Sequence, residues 1–162
     1  MSAPRAADIG ALLAALQDAN VEFCVIGGVA AVAHGATTPT RDLDVAAPMT
    51  VENLTRLFAA LAPHRPMHAT RRDLGVIRDP PDAFARFRLL LLETDLGRLD
   101  VLRRVEPLGE FEALRSTLME LTEGRVVPVL ELDQLIEVKA FLTRPKDKIV
   151  EAELRAIRDR LR

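Results

Sequence analysis

The stretch from Val25 to Val45 concentrates the residues whose types and spacing could do chemistry. An apolar run ends in Gly27-Gly28, a short Ala/Val segment follows, and the chain returns as Asp42-Leu43-Asp44-Val45. Alternate residues of a strand share a face. Asp42 and Asp44 are therefore expected to project together while Leu43 and Val45 point into a core. Two carboxylates held that close repel each other, and a bound divalent cation makes the arrangement favourable. A glycine turn that bares backbone N–H groups beside metal carboxylates suits a nucleoside triphosphate. Arg41, just before the pair, could neutralise it through a salt bridge or touch the triphosphate.

Each signal also has an ordinary reading. Paired glycines often make a plain strand-to-helix turn, and acidic strand ends are often merely solvated. Gly27-Gly28 is not a phosphate loop of the NTPase type, because no Gly-Lys-Ser/Thr follows, and it lacks the third glycine of a dinucleotide fingerprint. Asp42-Leu43-Asp44 cannot open a calcium loop, since the required glycine and distal glutamate are missing. Asp100 tests the chemical reading best. It lies in Arg98-Leu99-Asp100-Val101-Leu102, and a carboxylate among such neighbours costs several kcal/mol unless it is exposed, paired or metal-bound. His34 could donate to a phosphate or cap a helix C-terminus; His64 and His68 receive no role.

The elements that must position these groups follow from periodicity. Ile9, Leu12, Leu13 and Leu16 mark an amphipathic helix. Strands are expected at Val21–Ile26 and Asp42–Ala46, with a short helix at Gly28–Ala33 that Gly35 can end. Thr50 with Asn53 starts a helix whose apolar face is Leu54, Leu57, Phe58 and Leu61. Residues 64–85 read as a loop with one short strand near Val76-Ile77. Phe87–Glu93 and Arg98–Arg103 form a hairpin about Thr94-Asp95-Leu96-Gly97. Phe111–Leu121 is expected to be helical and Arg125–Val129 a strand. Leu132–Leu142 and Lys146–Leu161 are closing helices separated by Pro145. Lys139 falls on the apolar face of the first of these, where a lysine must snorkel out or meet a negative partner. The order implies one α/β (α+β) domain over residues 1–162, a mixed β-sheet with helices packed on it.

Composition narrows the function classes. The chain has 162 residues, 49% hydrophobic and 28% charged, which marks a globular protein rather than a disordered one. A net charge of −2 gives no global basic field, so any polynucleotide contact must be local. With no Trp or Tyr and six Phe, base stacking is sparse. Shape and phosphate contacts through Arg71, Arg72, Arg78, Arg103 or Arg104 remain open. The single cysteine, Cys24, fits a reducing compartment. No run approaches the roughly 20 apolar residues needed to span a membrane. The opening Met1 to Asp8 carries no secretion-type apolar run, and the protein is expected to be cytoplasmic.

Gly-Gly, a gap of about a dozen residues, then Asp-x-Asp resembles the signature of the polymerase β-type nucleotidyltransferase superfamily in its minimal, single-domain form. That family has a third carboxylate on a neighbouring strand between apolar residues, and Arg98-Leu99-Asp100-Val101-Leu102 matches it. The resemblance covers residues 21–103. It returns in Ile136-Glu137-Val138-Lys139 through Arg144-Pro145-Lys146-Asp147, similar to the helical tail of toxin-like members around 131–161. Residues 50–85 and 104–130 match nothing.

The resemblance implies a nucleotidyltransferase fold and an NTP-dependent, ATP-binding transferase that moves an NMP to a tRNA or protein hydroxyl. Asp42, Asp44 and Asp100 would be the catalytic, metal-binding carboxylates for two magnesium ions, with manganese as a substitute. Gly27, Gly28, Arg41 and Lys139 would bind the nucleotide. Asp147 is read as a partner of the basic cluster Arg144, Lys146 and Lys148 rather than a chemical group. A toxin–antitoxin role follows for small members, including an antitoxin that modifies an HEPN-type ribonuclease partner. Two alternatives stand beside this: an inactive module of the same fold that binds nucleotide or protein, and an aminoglycoside-type small-molecule nucleotidyltransferase. No membrane partner is expected.

Overall fold

The computed structural model describes residues 6–162; the reading of the secretion-type segment falls largely on residues 1–5, outside the described residues. Asp8 opens α1 (Ile9–Asp18), its carboxylate accepting from the Ala11 N–H at 3.0 Å, and Leu12, Leu13 and Leu16 are buried. β1 (Cys24–Ile26) is buried throughout and runs directly into α2 (Gly27–Ala33). The chain returns through β2 (Leu43–Ala46) and then forms α3 (Val51–Leu61). Thr50 caps α3 by accepting from the Asn53 N–H at 3.2 Å. β3 (Met67–His68), β4 (Leu89–Thr94) and β5 (Gly97–Leu102) follow. β6 (Arg104–Val105) and β7 (Gly109–Glu110) pair in a small separate ribbon. The chain closes with β8 (Ser116–Thr122), β9 (Arg125–Leu130), α4 (Leu132–Phe141) and α5 (Pro145–Leu161).

Seven strands form one sheet in the order β3-β4-β5-β2-β1-β9-β8. The β2–β5 and β1–β9 pairs are parallel and the other neighbours antiparallel, so the sheet is mixed and the class is α/β. Leu43, Val45, Leu99, Val101, Val127 and Val129 bring the sheet's apolar side chains into the core. Helix α1 packs on α3, while α2 packs on β1, β2 and α4, and α4 on α5. Among the described residues, no helix is long and apolar enough to cross a membrane.

Three expected elements differ. Phe111–Leu121 is not a helix: a 3₁₀ turn at Phe111–Ala113 leads into β8. Leu, Met and Glu favour a helix locally, but Ser116–Glu120 pairs with Val126–Leu130, and Gly124, at φ +73°, supplies the tight turn between the strands. The edge position leaves Leu118 71% exposed, which blurs the alternation that marks a half-buried strand. In the 64–85 segment the short strand is Met67–His68, with Val76 reduced to a single bridge against Met67. β1 begins at Cys24 rather than Val21, because the backbone of Glu22 is taken by a side chain. Asn53 accepts from the Glu22 N–H at 2.7 Å and donates to the Glu22 and Pro48 carbonyls, each at 2.9 Å.

Asn53 is thus a buried amide that ties α3 to the lead-in of β1. Asn53→Ala removes three hydrogen bonds and leaves backbone groups without partners, which should cost about 2 kcal/mol or more. Urea unfolding should show a lowered midpoint; an unchanged midpoint would mean that water replaces the amide at no cost.

Candidate active site

Strand register assembles the site. Ile26, the last residue of β1, stands opposite Asp44 of β2, and Asp44 stands beside Asp100 of β5. In-register neighbours point to the same face of a sheet. Leu43, Val45, Leu99 and Val101 take the buried face, so Asp44 and Asp100 emerge together on the other. Asp42 lies just ahead of β2.

The glycine pair serves the carboxylates first. Gly27 has φ +67°, a conformation that favours glycine, and a methyl group there would overlap Asp44 Oδ2. The Asp44 carboxylate therefore packs directly over the Gly27 backbone. At Gly28 a methyl group would stand 2.7 Å from Thr40 Oγ1. The Thr40 hydroxyl donates to the Asp42 carbonyl at 3.2 Å. The space at Gly28 is thus used by the protein's own loop before β2, a constraint absent from the phosphate reading of the sequence.

A cleft of about 340 Å³ opens beside these groups. Gly27 and Gly28 line it from the start of α2, Asp42 and Asp44 from the lead-in and body of β2, and Lys139, Arg144, Lys146 and Asp147 from α4 and the start of α5; Arg41 also faces it. Asp100 is outside the lining and is held by Arg98, whose Nε donates to Asp100 Oδ1 at 2.9 Å. Lys139, with its side chain only 12% exposed, places Nζ 3.3 Å from Asp147 Oδ1. Arg144 Nε donates to Asp147 Oδ2 at 2.8 Å. The Lys139–Asp147 contact answers the question posed by a lysine on an apolar face: it meets a negative partner.

Electrostatics set Asp44 apart. Burial, then the negative charges of Asp100 and Asp42, push its carboxyl up to about 6; the Lys139 charge opposes them, and a hydrogen bond shared with Asp100 adds to the rise. Asp147 behaves oppositely. Burial works to raise it, but hydrogen bonds and charge from Arg144 and Lys139 hold it below the usual carboxylate value.

The donor set at Asp42, Asp44 and Asp100 is all carboxylate oxygen, the type that magnesium takes. Among the described residues no three His, Cys, Asp or Glu side chains are grouped so that they could hold a metal ion by themselves. Magnesium, however, is commonly held by one or two carboxylates together with substrate phosphates and water, rather than by an all-protein cage. Burial and the charges of Asp100 and Asp42 together raise Asp44, and such a cation would relieve the part due to repulsion, so the residues fit it.

Other sequence candidates lie elsewhere. The His34 ring Nε2 is 2.8 Å from the Leu130 carbonyl and ties α2 to β9. Arg71 pairs with Asp73, Arg104 with Glu106, and Arg103 with the Ala85 carbonyl, all away from the cleft. A larger and more open hollow of about 560 Å³ has only Glu22 and Arg56 as charged lining. It offers no converging chemical groups, and the smaller cleft is the candidate site. Thr40, Arg98 and Asp147 were not assigned to the site from the sequence. Arg98 could have been, since it is two residues from Asp100 on the same strand face.

No known protein-family model matches the chain, and no curated protein is significantly similar to it.

Asp44 makes stability depend on pH. Its folded pKa lies above the unfolded value of 3.8, so its contribution is fully present below about pH 4 and is lost as pH rises through about 6. Asp44→Asn should therefore be more stable than the parent at pH 7.5, with the advantage shrinking toward pH 4. Thermal unfolding of both proteins across that range checks it; a constant difference would show that the Asp44 charge carries no strain.

Proposed function

We propose that this cleft belongs to a nucleotidyltransferase of the polymerase β type, which moves an NMP from an NTP to a hydroxyl of a tRNA or a protein. The observation that carries this reading is the side-by-side placement of Asp44 and Asp100 on adjacent strands, with Asp44 packed over Gly27 at the edge of a cleft lined by Lys139 and Arg144. Clustered carboxylates facing cations across a small cleft suit a ligand that is itself an anion accompanied by a metal ion.

In that reaction the acceptor hydroxyl gives up its proton to water, its oxygen bonds to the α-phosphorus, the bond from that phosphorus to the bridging β-phosphate oxygen breaks, and pyrophosphate leaves. Asp42 and Asp44, with Asp100, would hold magnesium, which supplies charge for the phosphates and lowers the pKa of the acceptor hydroxyl. The chain's own part is positioning and charge. The Gly27-Gly28 backbone lets Asp44 and the Thr40 loop pack close, which sets the carboxylates at the edge of the cleft. Lys139 and Arg144, which line the cleft, would neutralise the β- and γ-phosphate charge in this reading. Arg98 keeps Asp100 oriented toward Asp44. The acceptor would decide whether the protein acts as a toxin, an antitoxin or neither, and NTP use is consistent with a cytoplasmic protein.

A second reading draws on the ion pairs. Arg98–Asp100 and Lys139–Asp147 already neutralise two of the groups named here, as would suit an inactive module that binds nucleotide or protein without transfer.

Incubation with magnesium and each labelled NTP, offering bulk tRNA, lysate protein, the protein itself and an aminoglycoside, separates these readings by where label lands. Asp42→Asn, Asp44→Asn and Asp100→Asn should each cut transfer by roughly a hundredfold or more while the fold survives. Full activity in any of the three would remove that carboxylate from the metal site. Nucleotide binding with no transfer to any acceptor would leave the binding module.

A further inference from the structure

Asp147 is a buried carboxylate, 1% exposed, that takes no part in the reaction proposed above. A buried charge costs several kcal/mol unless good partners surround it. Here the partners come from two different helices. Lys139 reaches it from the last turn of α4, and Arg144, the residue that precedes α5, reaches it from the other side. The break between the helices, closed by Pro145 in the first turn of α5, lets residues eight apart in sequence meet at 3.3 Å. All three side chains border the cleft.

The Lys139 ammonium therefore lies between two anions. It contacts Asp147 directly, and its charge also acts on Asp44. Without Asp147, the carboxylates of the sheet would be its remaining attraction inside the cleft. A lysine drawn onto Asp44 would neutralise a group needed for a cation and leave the phosphate position bare. Arg144 cannot substitute for it in this restraint, because its side chain is 62% exposed and approaches from the rim.

We propose that Asp147 is a positioning residue: it holds Lys139 away from Asp44 and aims its ammonium at the phosphate chain of the ligand. The proposal rests on the nucleotide reading of the cleft, and it names the group that keeps the cation and the carboxylates of that site apart. The sign of one substitution separates this role from simple charge balance. A carboxylate that only offset surplus positive charge would, on removal, leave the cleft more cationic and tighten anion binding. A positioning carboxylate would, on removal, weaken it.

The test uses inorganic triphosphate with magnesium as the probe, titrated calorimetrically into the parent protein, Lys139→Met, Asp147→Asn and the double variant. Each single change should weaken binding roughly tenfold, the scale of one charge-assisted hydrogen bond. The double variant should be no weaker than Lys139→Met alone, since Asp147 acts through Lys139. A crystal structure of ligand-free Asp147→Asn supplies a second measure: Lys139 Nζ should leave position 147 and stand within ion-pair distance of Asp44. Asp147→Glu, which keeps a carboxylate within reach of Lys139, should bind triphosphate within a few-fold of the parent, and so serves where Asp147→Asn folds poorly. Tighter or unchanged triphosphate binding in Asp147→Asn, additive losses in the double variant, or a Lys139 side chain that keeps its place in the Asp147→Asn crystal structure would each overturn the proposal. Triphosphate binding with these variant effects but no nucleotide transfer would sink the transferase and leave Asp147 in its role. Transfer with normal binding in Asp147→Asn would do the reverse.

Discussion

The contact of the Asp44 carboxylate with the backbone of Gly27 is the constraint from which the site follows. It requires β1 to end against the start of β2, so that Ile26 and Asp44 are register partners. It also requires a residue without a side chain at φ +67°, which only glycine supplies cheaply. Asp100 then arrives by the parallel pairing of β5 with β2. The whole arrangement is anchored from below by Leu43, Val45, Leu99 and Val101, which are buried almost completely. A one-residue slip in either ladder would send these apolar groups to the open face and the carboxylates into the core. Core packing and site geometry are therefore specified by the same register.

Charge is distributed in two opposed groups. On the sheet Arg98 pairs with Asp100, and burial together with the charges of Asp100 and Asp42 pushes the Asp44 carboxyl up to about 6. On the closing helices, two cations meet one buried carboxylate, and Asp147 is held below its usual value. The cleft lies between an acidic wall and a basic one. Each wall is partly neutralised within itself, by Arg98 on one side and Asp147 on the other.

Much of this could be read from the sequence because the relevant rules are local. Period two put Leu43 and Val45 opposite Asp42 and Asp44, and Asp95-Leu96 between apolar runs marked the β4–β5 hairpin that carries Asp100. Thr50 as the α3 cap followed from residue type and spacing. What escaped depended on contacts distant in the chain. The reach of Asn53 across 31 residues to Glu22 shortened β1, and no local pattern announces it. β8 was misread because Leu118, Met119 and Glu120 favour a helix until β9 offers a ladder. Gly28 was read against a ligand although Thr40, twelve residues on, already fills that space. Residue type and spacing pair Asp147 with Arg144, but only the packing of α5 on α4 shows that Asp147 is buried and meets Lys139.

Anomalous diffraction from crystals grown with manganese and a non-hydrolysable NTP analogue tests the central claim most directly. The account predicts manganese bound at Asp42 and Asp44 and the triphosphate in the cleft that Lys139 and Arg144 line. Manganese absent from those carboxylates, or a triphosphate seated elsewhere, such as the hollow beside Arg56, would contradict it.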